Sequence, residues 1–139
     1  MTEARLTPKQ LRRIQKALST VPYAKLLGIE LEDVGIGTAT LGLRVRKNLT
    51  QNHGVVHGGA VASLIDTAMA FAIIPLLGPK ERVTTVDLTI SYLRPVTSGR
   101  MRASANVVRD GRRLVVVSAE VFDSRQTITA TALSTYIKL

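Results

Sequence analysis

The chain has 139 residues, a length that suits one domain, and no cysteine, so neither a disulfide framework nor a zinc-thiolate centre is open to it. Its formal charge of +9 favours anionic partners, but aromatics are only 4% of residues and no zinc-finger or RNP signature occurs, which argues against nucleic acid as the ligand. The opening residues, MTEARLTPKQ, lack the apolar stretch of a secretory signal, and the missing thiols fit a cytoplasmic protein.

In chain order, the first predicted element is a helix capped by Thr7, with Pro8 at its first position and Gln10 completing a capping box. Leu11, Ile14 and Leu18 give it an apolar stripe. A short second helix over 22–27 stops at Gly28. Residues 29–34 and 37–46 read as strands, the second alternating cleanly with Ala39, Leu41, Leu43 and Val45 on one face. Residues 47–57 are a loop, and a long apolar helix is predicted from Gly58 to about Leu77.

That segment is long enough to cross a bilayer, for which about 20 residues suffice. Asp66 near its middle and Pro75 near its end argue instead for a core helix, because a carboxylate at mid-bilayer costs at least about 2.5 kcal/mol. Four strands complete the chain, over 82–93, 100–108, 112–122 and 127–137. The turn Arg109-Asp110-Gly111-Arg112 between the second and third of these carries the Asp-Gly hairpin signal. One apolar helix among antiparallel strands predicts an α+β fold with the sheet curled around the helix. Residues 1–139 read as a single domain, of which 1–20 form a helical extension.

The segment 51–66, QNHGVVHGGAVASLID, resembles the signature of the PaaI-like hotdog thioesterases, a family that includes phenylacetate-pathway and 4-hydroxybenzoyl-CoA thioesterases. Its mark is His-Gly-Gly with an acid nine positions after the histidine, the spacing of His57 and Asp66. The strand TVDLTISYLRP (85–95) and the GRRL segment (111–114) before a valine-rich strand extend the match over about residues 22–138. The resemblance implies a hotdog fold, hydrolysis of an acyl-CoA to acid and CoA, no cofactor beyond the CoA of the substrate, and homodimers that commonly pair into homotetramers. Two other functions stay open: a regulatory hotdog module that binds acyl-CoA without cleaving it, and a hotdog dehydratase or hydratase.

A thioester carbonyl gaining negative charge needs donors, and its attacking water needs a base. Gly58 opens the long helix, so its N–H sits at the positive end of the helix dipole, where an oxyanion is favoured. The plainer reading of Gly58-Gly59 is a tight turn into the helix. Asp66 is the one charge between Gly58 and Gly78; it is either a structural acid satisfied by nearby hydroxyls or amides, or the base or nucleophile that the resemblance implies. The two residues lie eight positions apart, about 12 Å along a helix, too far for one thioester carbon to reach both. They serve separate sites, or one site drawn from two chains; the resemblance implies the second.

The resemblance also places Gln51 at an amide position that orients water or thioester, with the adjacent Asn52 as the alternative. It gives His57 a part in holding the loop or contacting the carbonyl, and gives Thr85 a hydroxyl that assists the acid, although threonine is an ordinary strand residue too. Gly59 is a further candidate for substrate binding. Arg94, Arg109, Arg112 and Arg113 are candidates to grip the phosphates of CoA through the planar guanidinium fork. His53, His57 and Asp66 lack a ligand pair on one helix face, so no metal site is predicted, and the absence of a Gly-x-Ser-x-Gly elbow argues against a serine hydrolase.

Overall fold

The structure, a computed structural model, describes residues 5–139; the first four residues of the expected N-terminal extension lie outside the described residues. Helix α1 (Pro8–Ser19) has the capping box expected of it, with Thr7 Oγ1 accepting from the Gln10 N–H and the Gln10 side chain accepting from the Thr7 N–H. Helix α2 (Pro22–Leu27) ends at Gly28, whose φ of 82° is the left-handed cap that glycine adopts without strain. The Arg46 guanidinium then closes the α2 terminus by donating to the carbonyls of Leu26 and Leu27 at 2.7 and 2.6 Å.

Six antiparallel strands form one sheet: β1 (Glu30–Gly35), β2 (Thr38–Arg44), β3 (Val83–Tyr92), β4 (Arg100–Asp110), β5 (Leu114–Phe122) and β6 (Ile128–Lys138). Their spatial order is β1-β2-β4-β5-β6-β3, which leaves β1 and β3 as edges. Helix α3 (Gly58–Ile73) is the predicted apolar helix, slightly shortened because Ile74–Leu76 tighten into a 3-10 turn at Pro75. It packs mainly on β2 and β4 and then on β5. Leu64, Ile65, Ala68, Met69, Ala72 and Ile73 meet Leu41, Leu43, Met101, Val115, Val117 and Val121 in a sealed core. Ala103, Ala105 and Ala119 on the inner face let the helix sit close to the sheet. Truncating a core side chain such as Leu64 to alanine would cost about 2–5 kcal/mol. The stretch 58–76 is long and apolar enough to cross a membrane, with mean hydropathy 1.8; here half of its most apolar window is buried within the protein itself.

One hairpin departs from expectation. The Asp-Gly signal predicts a turn over 109–112, but Asp110 is still paired with Val115 and Gly111 has no left-handed φ. The Gly111 N–H donates to the Leu114 carbonyl at 2.9 Å, so Arg112 and Arg113 form the tip. A register shift between Val107 and Arg109 moves the turn along the chain, and Lys138 anchors Asp110 through a 2.9 Å ion pair.

Candidate active site

The approach to α3 is built from short backbone clasps. The Gln51 N–H donates to the Val55 carbonyl at 2.8 Å, and the His57 N–H to the Leu49 carbonyl at 2.9 Å. Between them His53 and Gly54 both take positive φ, at 71° and 75°. A left-handed histidine costs about 1–2 kcal/mol, and the surrounding bonds hold it there. His57 is the residue that caps α3: its Nδ1 accepts from the Gly59 N–H at 2.8 Å. The Gly59 carbonyl accepts from Ser63 Oγ at 2.8 Å.

These bonds bear on Gly59 and on His57. Gly59 has neither backbone group free for substrate, because each already has a short-range partner. His57 spends Nδ1 on the helix terminus, so its structural part is to hold the loop-to-helix junction. Gly58 keeps its N–H: it is the first helical residue, and no acceptor for that N–H occurs among the described residues.

Gly58 borders a cleft of about 360 Å³ lined also by Gln51, Val55, Val56, Val61, Thr129 and the segment from Tyr92 to Val96. The structure thus brings Gln51 and Gly58 together, with Arg94 on the same rim, while Asn52 stands in the exposed 3-10 turn outside the lining. Arg94 is partly engaged, donating to the Ile128 carbonyl at 2.9 Å. Tyr92, which the sequence did not single out, donates its hydroxyl to the Gly58 carbonyl at 2.9 Å. Its ring lies 3.4 Å from where a Cβ on Gly58 would stand, so a side chain there would fill the gap between helix and ring.

Asp66 is not in that cleft. Two turns further along α3, its Oδ1 accepts from Thr85 Oγ1 at 2.9 Å and from Tyr136 Oη at 2.5 Å. Tyr136 Oη also lies 2.8 Å from the Asp66 carbonyl. Thr85 and Tyr136 are direct cross-strand partners on β3 and β6. The register slips just after this pair, Val86 being the extra residue. That bulge is pinned by Asp87, whose Oδ1 takes the Thr135 N–H at 3.1 Å and whose carbonyl takes Ser134 Oγ at 2.5 Å. Bulges of this kind re-aim a side chain, and this one follows the threonine that meets the acid. Half of the plain structural reading of Asp66 is therefore realised: hydroxyls satisfy one oxygen. Its Oδ2 has no hydrogen-bond partner among the described residues, and the residue is only partly buried.

Tyr136 is 2% exposed. Burial, reinforced by the Asp66 carboxylate, pushes its phenol well above the ordinary tyrosine range, so it stays a donor. Its signal in the sequence was parity: Ser134 and Tyr136 share the inward face of β6, and a buried tyrosine needs a partner for its hydroxyl.

Arg109, Arg112 and Arg113 lie around the β4–β5 tip, in a shallow groove with Gly111, Leu114 and Val116. Register places this tip beside Lys138 and Val83, at the Asp66 end of β3; Arg94 follows the opposite end, about 30 Å away for a ten-residue strand. Within one chain these arginines cannot share a ligand's phosphate. Arg100 and Arg102 are committed elsewhere, to Glu30 and Glu32 of β1.

With this geometry in hand, residues 53–130 match the thioesterase superfamily. A candidate esterase of Saccharolobus solfataricus is 34% identical over 124 residues, covering 89% of this chain and 82% of that protein. The medium/long-chain acyl-CoA thioesterase YigI of Escherichia coli is 27% identical over 132 residues, covering 84% and 85%. Among solved structures, the PaaI protein of the E. coli phenylacetic acid degradation operon superposes with a TM-score of 0.86 at 25% identity, covering 93% of this chain and 92% of that one.

An antiparallel sheet around one long helix, with this superfamily match, defines a hotdog thioesterase, an enzyme of thioester hydrolysis. More narrowly, the chain belongs to the PaaI-like hotdog thioesterases.

Proposed function

We propose that the protein hydrolyses acyl-CoA thioesters in a site shared between two copies of the chain. The Gly58 N–H of one protomer stabilises the oxyanion, and Asp66 of the partner serves as base or nucleophile. The observation that carries this reading is the division just described. Gly58 and Gln51 line one cleft, and the acid lies two turns away with Oδ2 lacking a hydrogen-bond partner among the described residues. About 12 Å of helix separates the two groups, so no single carbonyl in one chain reaches both.

The edge strand β3 supports the pairing. It is ten residues long, pairs on one side only with β6, and exposes Val86, Tyr92 and the following Leu93. An open edge of that length is a template for another strand. A two-fold axis there would set two α3 helices antiparallel, each Gly58 facing the partner's acid. The same operation would carry Arg94 of one chain toward the arginine-rich hairpin of the other. That offers one place where both groups could meet CoA phosphates. YigI, named for medium- and long-chain acyl-CoA, makes fatty acyl groups the first to try, with aryl groups beside them. Pairing of such dimers into tetramers, and a cytoplasmic location, are parts of the same proposal.

The deciding experiment is a thiol-release assay over a panel of fatty and aryl acyl-CoA substrates. Free CoA and acid should appear with the wild-type chain, and Asp66→Ala should lower turnover at least about a hundredfold, the scale of losing a positioned base. Binding without release would support the regulatory module instead, and an enoyl or hydroxyacyl product without thiol would support a dehydratase.

A further inference from the structure

We propose that Tyr136 is a positioning residue for Asp66. Its hydroxyl and that of Thr85 together occupy Oδ1, so that Oδ2 is the oxygen presented to the reacting water or thioester. This rests on the reading of Asp66 as the working acid.

Three observations carry it. Both donors converge on the same oxygen, Thr85 Oγ1 at 2.9 Å and Tyr136 Oη at 2.5 Å, while Oδ2 has no partner among the described residues. The phenol also lies 2.8 Å from the backbone carbonyl of the same residue, so its single proton sits between that carbonyl and Oδ1, and the hydroxyl is seated against the helix as well as the carboxylate. Lastly, the two donors come from neighbouring strands at one register position, with the Val86 bulge locked by Asp87 and Ser134 directly beyond. A carboxylate with one oxygen held by two donors cannot spin about its last bond without breaking both. It therefore offers a single lone-pair set in a fixed direction, and orientation of that kind is worth orders of magnitude in rate. A tyrosine suits the task because its proton is retained across the working pH range, burial and the carboxylate both disfavouring its loss.

The test is a double-mutant cycle read by steady-state kinetics on the best substrate of the thiol-release panel, with Tyr136→Phe, Asp66→Asn and the double variant. Tyr136→Phe should lower kcat by roughly tenfold to a hundredfold, the span for losing a hydrogen bond to a charged group, with KM changed by less than about twofold. In the Asp66→Asn background the same change should cost little more, since the group it orients is gone. Should Tyr136→Phe fold poorly, fluorinated tyrosine at position 136 keeps the shape and alters only the donor; a graded change in kcat at constant KM is then expected. Full activity of Tyr136→Phe, a rise in KM with kcat unmoved, an equal loss in both backgrounds, or no response of kcat to fluorination would each overturn the proposal. Failure of the underlying reading is separable, because it appears in Asp66→Asn alone as wild-type turnover.

Discussion

His57 decides which amide at the head of α3 remains for a ligand: its Nδ1 takes the Gly59 N–H at 2.8 Å, and that of Gly58 has no partner among the described residues. The histidine acts here as an N-cap, a task usually given to serine, threonine, aspartate or asparagine. Its replacement by asparagine should therefore preserve stability, whereas His57→Ala should lose about 1 kcal/mol. Urea unfolding of both variants checks this; equal losses would show that the ring contributes through packing rather than capping.

Gly58 can be probed by removing its N–H. It is the first residue of the helix, where proline is well tolerated, and His57 before it has ψ of 134°, an extended conformation compatible with a following proline. Proline at position 58 removes the N–H but also adds a ring whose Cβ would stand 3.4 Å from the Tyr92 ring, so Gly58→Ala, which adds that Cβ and keeps the N–H, is its control. Gly58→Pro should fold with near-normal melting temperature yet lose turnover roughly a hundredfold or more, the scale of an oxyanion-hole donor. A folded and fully active Gly58→Pro enzyme would remove the amide from the mechanism.

Subunit mixing follows from the shared site. Gly58→Pro and Asp66→Ala chains should each be nearly inactive alone, but a heterodimer would hold one site with both groups intact. Random exchange should restore about a quarter of wild-type activity, since half the dimers are mixed and each carries one of two sites. Verified exchange without recovery would place both groups in the same chain.

The hairpin arginines give a kinetic signature. Arg112→Gln combined with Arg113→Gln should raise KM several-fold with little change in kcat, and the difference should shrink as salt screens the phosphate contact. A loss confined to kcat would assign the pair to something other than phosphate binding.

Tyr136 sets an alkaline limit on stability. Below about pH 10 a phenol is neutral in both folded and unfolded chains. Above that pH the unfolded chain sheds a proton that the folded one retains, because burial and Asp66 hold the folded phenol above its ordinary range. The folded state then binds more protons, so stability falls as pH rises. Urea midpoints between about pH 9 and pH 11 should drop more steeply for wild type than for Tyr136→Phe. Parallel curves would contradict the assignment.

Element order and the identity of the core helix were legible because they rest on strong local signals: the Thr7 capping box, Gly28 as a left-handed stop, and period-two alternation in β2. The arrangement at Asp66 was only half legible. Thr85 could be named from the motif, but Tyr136 is 70 residues from the acid in sequence, and only strand register brings it there. The hairpin tip was misplaced for a related reason. A register shift at Val107 to Arg109 moves the turn, and nothing in the Asp-Gly pair reports it. Tyr92 was hidden by its exposed position, where an aromatic at a strand end draws no notice until its hydroxyl is seen on Gly58.

Helix α3 carries the free amide at one end and the acid near its middle, seated on a bed of alanines that leaves it little play. The two groups therefore move as parts of one rod. In a two-fold assembly each rod would supply one half of both reaction centres, so a tilt in either protomer would be felt at both. A substitution under the helix, such as enlarging Ala103 or Ala105, would detune the pair of centres in concert without touching either one.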